Sequence, residues 1–317
     1  MDYSNYITYL LTCCGALPGS AIDVCTRSRR IFFNILNTFC LLIVTARLVV
    51  ALSTGWTNTQ DEPLETTIYK SNYTLWQIMV TSQAFILAFT SYKYSRAYHD
   101  SYSRAAEYLR LLQVDINRRR ERNIQIFLFC SAVVCAVGMI STNMLNYKTI
   151  DPFFGDSLRN RTTPEVFSVL HGFGGPTFVL CIAYRIFSLT YFISTAVHVI
   201  SLIDSFNKTL LSKVKTSKFS ISADMRQYRH AHSLLSDLVN EANTKLSLST
   251  GVSLLISTIL QFLVIYIIVK RRESVSESLS FIFWILSEVV NSSTTIWIGD
   301  IVKKKVIIVV AICAEVD

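Results

Sequence analysis

Charge is scarce in this sequence. Asp, Glu, Lys and Arg make up only 16% of its 317 residues, against roughly 25% in soluble domains. With 51% hydrophobic residues and a mean hydropathy of +0.40, the chain is too apolar for one or two water-soluble domains and is expected to fold in lipid. Ten Gly and five Pro exclude collagen-like and linker-rich architectures, and 19 Phe with 15 Tyr oppose disorder. The eight Cys form no spaced framework. Most, such as Cys40, Cys130, Cys135 and Cys181, sit in apolar or basic stretches and read as reduced packing residues, and the adjacent pair Cys13 and Cys14 is a poor metal or disulfide site. Gly-x-Ser-x-Gly, His-Glu-x-x-His, Walker and Cys-x-x-Cys motifs are all missing. His232 and Asp237 have the spacing of some acyltransferases. On a helix, however, residues five apart point about 140° away from each other, so the carboxylate could not orient the ring. His171, alone in an outer loop, needs no ligand to explain it. Neither an enzyme nor a cofactor is expected.

What the sequence has is long apolar runs. A bilayer core of about 30 Å takes about 20 apolar residues as a helix, because lipid offers the backbone no hydrogen-bond partners. Six runs suit: 31–52, 75–92, 124–145, 177–202, 246–269 and 279–298. The second is the shortest and carries Gln77 and Gln83, and none of the six contains a proline. Lys and Arg favour the cytoplasmic side. Segments 1–30, 93–123, 203–245 and 299–317 hold 21 of them, against 7 in 53–74, 146–176 and 270–278. The reading is therefore an all-α polytopic transmembrane helical bundle with a cytoplasmic N-terminus and helical extensions at 93–123 and 203–245. Lys270, Arg271 and Arg272 oppose this orientation, but the global count outweighs them. Glycosylation sequons at Asn72 and Asn160 fall in the expected outer loops, although similar triplets at Asn207 and Asn291 show that chance matches occur. An N-inside chain is also the inverse of the G-protein-coupled receptor plan.

Two inner segments are amphipathic. Tyr102, Ala105, Ala106, Leu109 and Leu112 recur at helical spacing, as do Tyr228, Ala231, Leu234, Leu235, Leu238, Val239 and Ala242. Such stripes are buried either against one another in an intracellular platform or on the inner leaflet. The net charge of +8 and the cluster Arg118, Arg119, Arg120 and Arg122 are a positive-inside flank without a nucleic-acid motif, so no nucleic-acid partner is expected.

Polar groups at membrane depth are costly and mark candidate sites. Arg185 lies eight residues into the fourth run and Glu288 nine into the sixth. Both runs head inward, so the two groups stand at similar depth and are expected to face one cavity, paired or separated by a ligand. Gln77, Asn143, Tyr184, Gln261 and Trp284 lie at comparable depth. Together with Arg185 and Glu288 they offer the rings and amides that a small amphiphilic ligand requires. Trp76 and Tyr266 fit an interfacial belt better than a pocket, and Arg47 is expected to snorkel.

The N-inside multispan plan, the Gly15–Pro18 element before the first run and the stretch from His232 to Leu246 resemble the insect gustatory receptor family of the insect chemoreceptor superfamily over about residues 10–305. The resemblance implies a tetrameric, ligand-gated cation channel in the plasma membrane of chemosensory neurons. Its small-molecule tastant would be held in the outer half of the first six helices, with a seventh helix lining the pore. The sequence departs from the pattern there. After Lys303, Lys304 and Lys305 only Val306–Ala314 is apolar, and the family's Thr-Tyr and Gln-Phe signature of that helix is lacking. Six full spans of an expected seven are therefore present, and the chain reads as incomplete. Two other readings stand beside it: a secondary transporter, and a non-conducting membrane partner of a full-length receptor.

Overall fold

In the computed structural model, residues 6–19, 27–55, 64–116, 163–215, 223–270 and 292–304 are described, with 119, 122–127, 130–131, 133–134, 137–138, 282, 285–286 and 288–290. Five helices organise them: α1 (Tyr6–Cys13), α2 (Arg27–Gly55), α3 (Leu64–Leu111), α4 (Pro164–Lys215) and α5 (Ala223–Lys270). Helical turns also occur at 122–127 and in a C-terminal run at 292–304. No strand occurs among the described residues. At 48 residues, α3 is roughly 70 Å long, more than twice the thickness of a bilayer core. Helices α4 and α5 are as long. Each of the three thus continues well beyond any apolar run it contains. Helix α4 also starts earlier than the run 177–202 and carries Pro176 in its interior.

Among the described residues, three helical stretches are long and apolar enough to cross a membrane: Arg27–Leu52, Pro176–Lys213 and Arg226–Tyr266. The most apolar window of Pro176–Lys213 is 67% buried, against 28% and 24% for the other two, which puts α4 at the centre of the bundle. Helix α3 is not among them, for a visible reason. Its buried face holds Gln77, Thr81, Gln83, Thr90 and Ser91, while Ile78, Phe85, Phe89 and Tyr92 are on its exposed face. Those polar groups share the buried face with Trp76, Met79, Val80, Ala84 and Leu87, and the exposed face is apolar, unlike that of a helix in water. Helix α2 likewise exposes Phe32, Ile35, Phe39, Leu42 and Val49 along one side, and α5 exposes Leu248, Leu255, Phe262 and Val269. Apolar surface this extensive calls for lipid. The chain is an all-helical membrane protein.

Farther along α3 the exposed residues become Arg96, Asp100, Arg104, Glu107 and Arg110, and the core changes with them. One hydrophobic cluster gathers Leu11, Leu17, Val44, Trp76, Met79, Phe178, Tyr184 and Leu260 from α1–α5 and the turn after α1. A second gathers the two amphipathic stripes, Ala105, Ala106 and Leu109 with Tyr228, Ala231, Leu235 and Leu238, around Leu202, Ile203 and Phe206 of α4. The stripes therefore bury one another, leaving neither face available to a leaflet. Helix α3 ends where Gln113 adopts a left-handed conformation (φ 57°) and the Val114 amide donates to the Leu109 carbonyl oxygen at 3.0 Å, closing the last turn.

Candidate ligand-binding site

The site begins at the turn after α1. Gly15, at φ 73°, closes that helix, with the Ala16 amide donating to the Leu11 carbonyl oxygen at 2.9 Å. The turn presses on α2 so closely that a Cβ at Gly15 would stand 2.7 Å from Cys40 Sγ. Its carbonyl oxygen accepts from two helices at once, from Asn37 Nδ2 of α2 at 2.8 Å and from the Tyr184 hydroxyl of α4 at 3.1 Å. The Gly19 amide donates to Asn34 Oδ1 at 2.8 Å. Asn34 and Asn37, three apart in an apolar helix, are thus an anchor for the chain ahead of α2.

Above this anchor the inner faces of α2, α3 and α4 converge. Arg47 is buried: Nη1 donates to Thr177 Oγ1 at 2.8 Å, and the guanidinium carbon lies 5.2 Å from the Phe178 ring centroid. The expected snorkelling is overturned. The helix turns Arg47 toward α4, where a hydroxyl and a ring face replace water. Trp76 is buried too, its ring 5.5 Å from that of Phe178, so its place is inside the bundle and not in an interfacial belt. Gln77 is fully buried, and its Oε1 accepts from Cys181 Sγ at 3.7 Å. Its Nε2 has no hydrogen-bond partner among the described residues, nor does Thr81 Oγ1 one turn on. Unsatisfied donors of this kind are uncommon in native interiors and mark a place where water or a ligand belongs.

Gln77 and Tyr184 are therefore brought to one locality, since Cys181 is one turn from Tyr184 on α4. Glu288 and Gln261 form a second grouping. Glu288 is buried and accepts from the Ser257 hydroxyl of α5, and Gln261, half-buried, is one turn farther along that helix. Tyr266 is exposed. Asn143, Asn160 and Trp284 lie outside the described residues, as do the side chains of Arg185 and Asn72, so the expected approach of Arg185 to Glu288 falls outside them too. Asn72 itself is within α3, whose first turns occupy part of the expected outer loop. No group of three potential metal ligands forms among the described residues. Asn37 and Thr177 carry no expectation from the sequence, and Cys181 reads there only as a packing residue. For Asn37 a signal existed, two amides at helical spacing inside an apolar run. For the other two nothing in the local sequence distinguishes them from packing residues.

This architecture, long helices with polar groups buried among apolar ones and an apolar outer surface, defines a polytopic all-helical membrane fold. It has the fold of a solved insect olfactory receptor, OR5 from Machilis hrabei, with a TM-score of 0.67 over 96% of this chain and 81% of that one at 8% sequence identity. No family model matches the sequence, and no curated protein does.

Proposed function

We propose that the chain is a chemoreceptor subunit of the gustatory type, belonging to a ligand-gated cation channel assembled as a homo- or heterotetramer in the plasma membrane of chemosensory neurons. The observation that carries this reading is the shared fold with an insect olfactory receptor across nearly the whole chain. The burial of Gln77 with an unused amide beside Cys181 and Tyr184 supports a small tastant in the outer half of the first six helices. The six spans keep the limits read from the sequence, with 1–30, 93–123, 203–245 and 299–317 in the cytoplasm. Asn143, Arg185, Gln261, Trp284 and Glu288 complete the ligand-contacting set, and Asn72 and Asn160 are the candidate glycosylation positions.

Expression in a heterologous cell tests this. A polypeptide of these 317 residues should reach the surface yet give no tastant-evoked current alone, because beyond residue 298 no further apolar run approaches about 20 residues. Fusion of a family-type seventh helix, or co-expression with a full-length subunit, should be needed for a response. A robust current from the unassisted chain would show that this assignment of the pore is wrong.

A further inference from the structure

Lys245 on α5 is 5% exposed. A buried ammonium is costly unless something returns its charge. Two aromatic faces return part of it: Nζ lies 4.4 Å from the Tyr98 ring centroid and 4.7 Å from that of Tyr191. Carboxylates do not, because Glu241, one turn earlier, and the exposed Asp100 make no ion pair with it among the described residues. Lys245 lines a narrow cleft with the hydroxyl-bearing Thr90, Ser188, Ser249, Thr250, Ser253 and Thr295, and among the described residues no acidic one shares the wall. Its free volume of about 20 Å³ admits one water-sized group, not a whole molecule.

The cleft is not isolated. Thr250 and Thr295, with Phe192 and Leu246, also line a groove of about 680 Å³ between α4, α5 and the C-terminal run, the size of a small-molecule pocket. One end of the groove has Asn243 and Lys303. The other has Gly251 and Leu254, and a Cβ at Gly251 would meet nothing within 4 Å. Again no Asp or Glu among the described residues lines it. Lys245 also stands where the exposed residues of α5 change from Asp237, Asn240 and Asn243 to Leu248, Leu255 and Phe262, the level of a water–lipid boundary. A polar end carrying Lys245, which is hydrogen-bonded to Tyr191, and Lys303, joined at that level to an apolar trough, fits an amphiphile with a negative head.

We propose that cleft and groove together hold one anionic phospholipid of the inner leaflet. One phosphate oxygen reaches into the cleft toward Lys245, the headgroup points to Asn243 and Lys303, and an acyl chain lies past Gly251 and Leu254. The assignment rests on the membrane placement proposed above and is independent of any tastant.

The test uses the full chain in phosphatidylcholine nanodiscs with and without phosphatidylglycerol, and native mass spectrometry of the retained lipid. Phosphatidylglycerol should be retained in preference to phosphatidylcholine. Lys245→Met should lower that preference about tenfold with helical content unchanged, and Lys245→Arg should keep it. If Lys245→Met does not fold, Thr250→Val and Thr295→Val at the shared mouth must reduce retention instead. Equal retention of both lipids, or undiminished retention by the folded variants, overturns the assignment. Displacement of the lipid by millimolar inorganic phosphate alone would assign the cleft to a free anion and overturn the lipid source. A chain that stays dissolved without detergent or nanodiscs would overturn the membrane placement, and this assignment with it.

Discussion

The Tyr184 hydroxyl donates to the Gly15 carbonyl oxygen at 3.1 Å, fastening α4 to a turn that precedes it by 169 residues. The same oxygen takes Asn37 Nδ2 at 2.8 Å, so the chain ahead of α2 is stitched to both walls of the candidate site. Any ligand that moves Tyr184 would pull on this turn.

Tyr184→Phe should lower stability by about 0.5–1.5 kcal/mol, the usual worth of one hydrogen bond, since Asn37 still satisfies the oxygen. Gly15→Ala should cost more, because a side chain is strained at its positive φ and would collide with Cys40. The melting temperature of the detergent-solubilised protein, followed by size-exclusion fluorescence, ranks the two. A Gly15→Ala protein as stable as the parent would show that the turn is not held as described.

Gln77→Leu separates ligand binding from packing. Removing a buried amide whose Nε2 is unsatisfied should leave stability unchanged or raise it by up to about 1–3 kcal/mol. On the proposed function, it should also weaken the tastant response. A loss of stability at unchanged response would make Gln77 a packing residue.

Leu238→Ala should destabilise by about 2–5 kcal/mol, because Leu238 is enclosed where the stripes of α3 and α5 meet α4. Leu111→Ala, at 74% exposed on α3, should stay within about 0.5 kcal/mol of the parent. The same thermal assay compares them, and equal effects would deny the platform a core.

Those stripes were legible in the sequence because 3.6-residue spacing survives whatever the helix packs against: Tyr102 to Leu112 and Tyr228 to Ala242 could be named before their partner was known. The all-helical membrane fold was legible for the same reason, from run length and the scarcity of charge. Contacts between helices were not. Arg47 reads as a snorkelling residue from its distance to the span end, and only the placement of Thr177 and Phe178 on α4 shows it turned inward. Trp76 reads as a belt residue until the same Phe178 covers it. Lys245 counts as one more basic flank in the sequence, because its two tyrosine faces come from α3 and α4. Gln77 and Tyr184 share a depth that the sequence gives, but the Cys181 that brings them together carries no mark of its own. The buried polarity of α3 was half visible, as glutamines in a span, and what decides it is which face they occupy.

Arg47→Lys should not substitute for arginine. An ammonium cannot both donate to Thr177 and spread over Phe178 as the planar guanidinium does. The expected result is reduced thermal stability, with Arg47→Met no worse than Arg47→Lys since it leaves no buried charge. Lysine behaving like the parent would place Arg47 at the lipid–water boundary after all.

The proposed arrangement is a bundle embedded in a bilayer with its N-terminus and the α3–α5 platform on the cytoplasmic side. Epitopes placed at residue 1 and between residues 216 and 222, probed by antibody on intact and on permeabilised cells, test this most directly. Both should be labelled only after permeabilisation. Labelling of either on intact cells would contradict the orientation, and recovery of the chain in the soluble fraction would contradict the membrane fold itself.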